Sequence, residues 1–123
     1  MAGPPARKPV LVVDDDRDIR EGLQDLLESE GHTVFTASDG QDALEVLATI
    51  PRPGLVLLDL MMPRMNGQRF LQHVRGDPAL AQLSIVVLTA APATVQDVAV
   101  AGLLRKPPDL DELLRIVGRF CEA

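Results

Sequence analysis

Apolar residues fall along this chain in two rhythms. PVLVV at 9–13 is a continuous β-branched apolar run, and LVLLDLM at 55–61 and SIVVLTA at 84–90 are largely apolar runs of the same buried type. Such runs mark strands buried on both faces. HTVFTA at 32–37 alternates and predicts a shorter strand. GLLRK at 102–106 predicts another, broken by two prolines. Between these runs the spacing turns helical. Ile19, Leu23, Leu26 and Leu27 recur on one side, and Gly31 closes that helix. Ala43, Leu44, Val46 and Leu47 follow Ser38 and Asp39, either of which can cap, and PRPG stops the segment. Phe70, Leu71 and Val74 predict a third helix, ended by Gly76 and Pro78. A weak, Val-rich helical stretch spans residues 93–100. Leu110, Leu113, Leu114, Val117 and Phe120 predict a last helix capped by Asp109.

Five strands thus alternate with five helices. Buried strands joined by helical crossovers imply an α/β fold, a parallel sheet sandwiched between helices. The 123 residues suit one domain. The Pro-rich start, MAGPPARKP, lacks an apolar signal core. Residues 1–7 read as a flexible leader, and the domain is expected over 8–121.

Charge and composition then remove whole classes of function. The net charge is −6 and no Lys/Arg run exceeds two residues, so the basic footprint of a nucleic-acid binder is missing. Tyr and Trp are absent, which removes base-stacking platforms. The single cysteine, Cys121, cannot form an internal disulfide and fits a reducing compartment. No apolar run approaches a membrane span, and a cytoplasmic location without membrane contact is expected.

The polar residues that end the strands carry the chemistry. Ligands of open parallel α/β sheets bind beyond the carboxyl ends of the strands. The first strand ends in Asp14, Asp15 and Asp16, the third in Asp59, the fourth in Thr89 and the fifth in Lys106. Two like charges about 4 Å apart cost on the order of 1 kcal/mol in water and ~4 kcal/mol at an effective dielectric of ~20. Carboxylates gathered there need a cation. If strands one and three are neighbours, Asp14, Asp15 and Asp59 converge into an oxygen-only donor set suited to Mg2+. With Lys and Thr facing it, such a site suits phosphoryl chemistry, and Asp59 is the best-placed nucleophile.

Taken together, VLVVDDD, LVLLDLMMPRMNG, IVVLTA and LLRKPPDLDELL resemble the receiver domain of two-component response regulators, the CheY-like family. The resemblance covers about residues 8–120. It implies a flavodoxin-like (βα)5 doubly wound sandwich with sheet order 2-1-3-4-5. It also implies that Asp59 is the phospho-acceptor, phosphorylated by a sensor histidine kinase or phosphotransfer protein. Asp15 would bind Mg2+ directly, Asp14 directly or through water, and the backbone carbonyl of Met61 would be a further ligand. Thr89 and Lys106 would contact the phosphoryl oxygens. Such a domain is no enzyme beyond its own phosphoryl transfer and dephosphorylation. It would signal through protein–protein contacts with a downstream target, without direct nucleic-acid binding.

Other polar residues read more plainly. Asp16 and Asp18 are capping or solvated acids. His32 and His73 are surface residues, and Cys121 is an incidental thiol near a frayed end. The chain also departs from the family pattern. Leu103 stands where an aromatic switch residue usually precedes the active-site Lys by three positions. The span from Thr89 to Lys106 is short, so the fourth helix must be abbreviated. Met61 and Ala91, two residues after Asp59 and Thr89, cannot orient an attacking water by a strong polar contact, so slow self-dephosphorylation is expected. These departures sustain one alternative, a degenerate receiver used as a constitutive protein-binding module. A haloacid-dehalogenase-like phosphatase fits less well, because Asp18 stands where its DxDx[TV] pattern needs Thr or Val.

Overall fold

The computed structural model describes residues 8–59, 67–89, 100–106 and 108–122. Within them the elements run β1 (Val10–Val13), α1 (Arg17–Ser29), β2 (Val34–Ala37), α2 (Gly40–Leu47), β3 (Leu55–Asp59), α3 (Gly67–Gly76), β4 (Ile85–Thr89), β5 (Gly102–Arg105) and α4 (Leu110–Cys121). The stretch at 93–100 expected to be an abbreviated helix lies outside the described residues, apart from Val100, which is not helical.

All strand pairs are parallel, in the order β2-β1-β3-β4-β5. This is the doubly wound, flavodoxin-like arrangement, and it makes β1 and β3 neighbours as the acids required. The continuous apolar runs divide by the period-2 alternation of a strand. Leu11, Val13, Val56, Leu58, Ile85 and Val87 pack with Phe70, Leu71 and Val74 of α3 and Ala43 of α2. Val10, Val12, Leu55, Leu57, Val86 and Leu88 pack with Leu23 and Leu27 of α1 and Leu113, Val117 and Cys121 of α4. Each face of the sheet has its own core, which is why these strands are apolar up to the polar residues at their carboxyl ends.

Three acids start the helices. Asp16 accepts from the N–H groups of Asp18 and Ile19, Asp39 from Asp42, and Asp109 from Glu112. Asp16 is thus the cap of α1, one of its two expected roles. Asp42 also reaches back to accept from the Ser38 amide at 2.9 Å, so Ser38 and Asp39 both secure α2.

Three expectations need correction. Ile19 is exposed, and the buried stripe of α1 passes through Leu23 and Leu27. His32 is buried rather than on the surface. Gly31 takes φ 89°, donates to Glu28 O, and lets the His32 amide return to Leu27 O at 3.0 Å. That closure folds His32 back against the helix end. Nor does Cys121 sit on a frayed end. It is fully buried, its carbonyl accepts from the Lys8 amide at 2.8 Å, and its thiol faces Pro9 O at 3.7 Å. Gly54 completes this clasp by donating to Pro9 O at 2.8 Å. A Cβ on Gly54 would lie 2.6 Å from Phe120 O, so only glycine permits the approach.

Candidate functional site

The candidate site forms at the carboxyl edge of the sheet. Asp14 directly follows β1, and its amide donates to Ala37 O at 3.1 Å, extending the ladder to β2 by one residue. Its carboxylate is 1% exposed by residue and held on both oxygens. Oδ1 accepts from the Asp16 amide at 2.9 Å, and Oδ2 accepts from Lys106 Nζ at 2.8 Å. Asp59 closes β3, pairs with Leu88 of β4 and is buried. Asp15 is exposed, yet oxygens of Asp14, Asp15 and Asp59 all lie within 4.8 Å of one another.

Lys106 crosses to this cluster from the edge strand. Its amide donates to Thr89 O at 2.9 Å, which continues the β4–β5 ladder past its last pair. Its ammonium sits 2.8 Å from Asp14 Oδ2 and 3.4 Å from Asp59 Oδ2. Burial by itself pushes the ammonium pKa down and is the largest single effect on it. The Asp14 hydrogen bond and the charges of Asp14 and Asp59 together outweigh it, so the pKa lies above the ordinary lysine value. Lys106 therefore stays charged and offsets part of the repulsion among the acids.

Thr89 ends β4 almost fully buried, beside Lys106 through the backbone bond. Asp14, Asp15, Asp59 and Lys106 are brought together, with Thr89 on the adjoining strand end. Met61 and Ala91 lie outside the described residues. Leu103 projects from β5 with 43% exposure. His73 is exposed as expected.

One residue escaped the sequence reading. Arg20 Nη1 donates to the Asp14 carbonyl at 2.8 Å. Its signal was its position: Arg20, Leu23 and Leu27 share one helix face by the i, i+3, i+7 spacing. A cation on the core-facing stripe needs an acceptor there.

The donor set fits a hard cation. Mg2+ takes oxygen ligands at about 2.0–2.1 Å in octahedral geometry, which sets ligand oxygens roughly 3–4 Å apart. Three carboxylates within 4.8 Å need only small side-chain shifts to meet that spacing.

Fold and cluster together define a flavodoxin-like domain with an acidic cluster at the topological switch of its sheet. The model of the response regulator receiver domain matches residues 10–118, and the chain belongs to that family. The response regulator MprA of Mycolicibacterium vanbaalenii is 43% identical over 114 residues, covering 85% of this chain and 46% of its own length. The chain thus spans about half the length of the curated relatives it matches. A response regulator receiver protein from Pseudomonas putida superposes with a TM-score of 0.84 at 34% identity, covering 93% of this chain and 98% of that one. The response regulator TrrA of Thermotoga maritima, solved in complex with Mg2+-BeF, superposes with a TM-score of 0.80 at 31% identity, covering 92% and 98%. The protein is therefore a CheY-like receiver domain of two-component signalling. No helix among the described residues is long and apolar enough to cross a membrane.

Proposed function

We propose that this domain is a phosphorylation-dependent switch whose acceptor is Asp59. The observation that carries the reading is Lys106 set between Asp14 and Asp59, with Asp15 in the same cluster. The donor is a phosphohistidine on a sensor kinase or phosphotransfer protein. An Asp59 carboxylate oxygen attacks phosphorus, the P–N bond breaks, its electron pair stays on the imidazole, and an acyl phosphate forms.

Asp14, Asp15 and Asp59 would hold Mg2+, with the carbonyl of Met61. When bound, the ion supplies charge neutralisation at the carboxylates and at the transferring oxygens. The Mg2+-BeF complex of TrrA supports this reading. Lys106 keeps an ammonium 3.4 Å from Asp59 Oδ2, close enough to meet a phosphoryl oxygen built there. Thr89 donates its hydroxyl to a second oxygen. The folded unit runs from 8 to 121, a span supported by the Lys8–Cys121 bond. Output passes to a downstream protein through contacts that change on phosphorylation. Met61 and Ala91 leave no strong polar contact to orient water, so the acyl phosphate is hydrolysed slowly.

The test is intact-mass analysis after incubation with acetyl phosphate and Mg2+, beside Asp59→Asn and a chelator control. One phosphoryl adduct, absent in the variant and without metal, is expected. No adduct under any condition would sink the reading and favour a constitutive binding module.

A further inference from the structure

We propose that Arg20 is a positioning residue: by gripping the main-chain carbonyl of Asp14, it aims the Asp15 carboxylate into the acid cluster. The inference rests on the Mg2+ reading above and names a residue that acts on that site from α1.

Asp14 and Asp15 are held very differently. Asp14 is fixed at its amide, its carbonyl and both carboxylate oxygens. Asp15 is exposed, and among the described residues no hydrogen bond holds its carboxylate. Its oxygen still lies within 4.8 Å of those of Asp14 and Asp59. Side-chain contacts do not place it, so the backbone must.

The peptide joining Asp14 to Asp15 is planar. Fixing the Asp14 carbonyl oxygen therefore fixes the direction of the Asp15 amide and constrains its Cα–Cβ bond. Arg20 makes that contact at 2.8 Å from a half-buried position in the first turn of α1, six residues along the chain. Among the described residues, this main-chain carbonyl is the one hydrogen-bond acceptor of the guanidinium. The Asp16 amide on Asp14 Oδ1 fixes the far side of the same turn. Arg20 thus does for Asp15 what hydrogen bonds to a ligand's own atoms do at other metal sites.

Charge and positioning predict opposite signs here. Removing a cation from the neighbourhood of the acid cluster strengthens Mg2+ binding if only Coulomb attraction matters. Loss of positioning weakens it. The 123-residue chain is titrated with Mg2+ by calorimetry, with the amide shifts of residues 14–16 followed by NMR. Arg20→Met keeps the stem and removes donor and charge. Its affinity is expected to fall about tenfold, the lower end for losing an outer-shell partner. Arg20→Lys restores a donor and recovers affinity to within about threefold of the parent. Arg17→Met removes the same charge from an exposed position paired with Glu21, and leaves binding unchanged or slightly tighter. Should Arg20→Met not fold, Arg20→Gln, too short to reach the carbonyl, takes its place with the same expected loss.

Parent-like or tighter binding by Arg20→Met overturns the proposal and reduces Arg20 to a background charge. Failure of Arg20→Lys to recover affinity overturns it too. If the parent chain itself binds no Mg2+, the metal reading falls and this inference with it. If the parent binds and Arg20→Met binds equally well, only the role of Arg20 falls.

Discussion

Lys106 donates to Asp14 at 2.8 Å and stands farther, at 3.4 Å, from Asp59. The cation of the edge strand is thus held mainly by the first strand's acid, while the proposed acceptor keeps the weaker share. The ammonium lies where a bound cation would compete for the same carboxylate oxygens.

Lys106→Met should therefore bind Mg2+ more tightly than the parent, by about tenfold, because one unit of competing charge leaves the cluster. Its phosphorylation by acetyl phosphate at saturating Mg2+ should instead slow by roughly a hundredfold, since a donor to the transferring oxygens is lost. Calorimetry and single-turnover labelling read the two effects separately. Equal Mg2+ affinity in variant and parent would show that the ammonium does not compete.

The stability contributed by Lys106 follows from its raised pKa. The pair with Asp14 stabilises the fold fully below the ordinary lysine pKa of 10.5 and loses that contribution as pH rises through the higher folded value. The difference in Tm between parent and Lys106→Met, in metal-free buffer, should stay constant from neutral pH to about 9 and shrink toward pH 11. A difference already shrinking below pH 9 would contradict the assignment.

Asp59→Asn should make the metal-free protein more stable, by about 1 kcal/mol, because it removes one of three mutually repelling carboxylates. The same change should reduce the rise in Tm that Mg2+ produces in the parent, because binding stabilises the fold in proportion to affinity. Thermal unfolding with and without Mg2+ reads both. A lower metal-free Tm in the variant would mean that Asp59 is held by its partners more than it is repelled.

Gly54→Ala and Gly22→Ala should have opposite signs. At Gly54, directly before β3, a Cβ meets Phe120 O at 2.6 Å and Cys121 Cα at 3.1 Å, so the end of α4 must move off the start of β3. A loss of about 1–3 kcal/mol is expected. At Gly22, in the middle of α1, a Cβ meets nothing within 4 Å, and a gain of about 0.5–1 kcal/mol follows from helix propensity. Denaturant unfolding of the two variants beside the parent tests the pair. A neutral Gly54→Ala would show that the clasp yields at no cost.

Much of the fold was legible in the sequence. Strands apolar up to their last residue could only be central strands of a sheet covered on both faces, and β1, β3 and β4 are that. Their alternation divided the core into two without further information. Because these strands are parallel, their ends share one edge, and Asp14, Asp59, Thr89 and Lys106 were placed there by counting. Boundaries were less legible. The strand expected from residue 32 begins at Val34, since the helix closure through Gly31 consumes His32.

Sequence alone determined the layers, the two core faces and the edge where acids and lysine gather, because hydrophobic period and strand direction are local properties of the chain. Tertiary structure alone decided which groups touch. Lys106 chooses Asp14 across 92 residues, and Cys121 closes on Pro9 across 112. His32 is buried by a turn that bends it back onto its own helix, and Arg20 finds a carbonyl rather than a carboxylate. These outcomes turn on differences of an ångström between elements that meet only when the sheet and both helical layers close together, and no pattern along the chain encodes that distance.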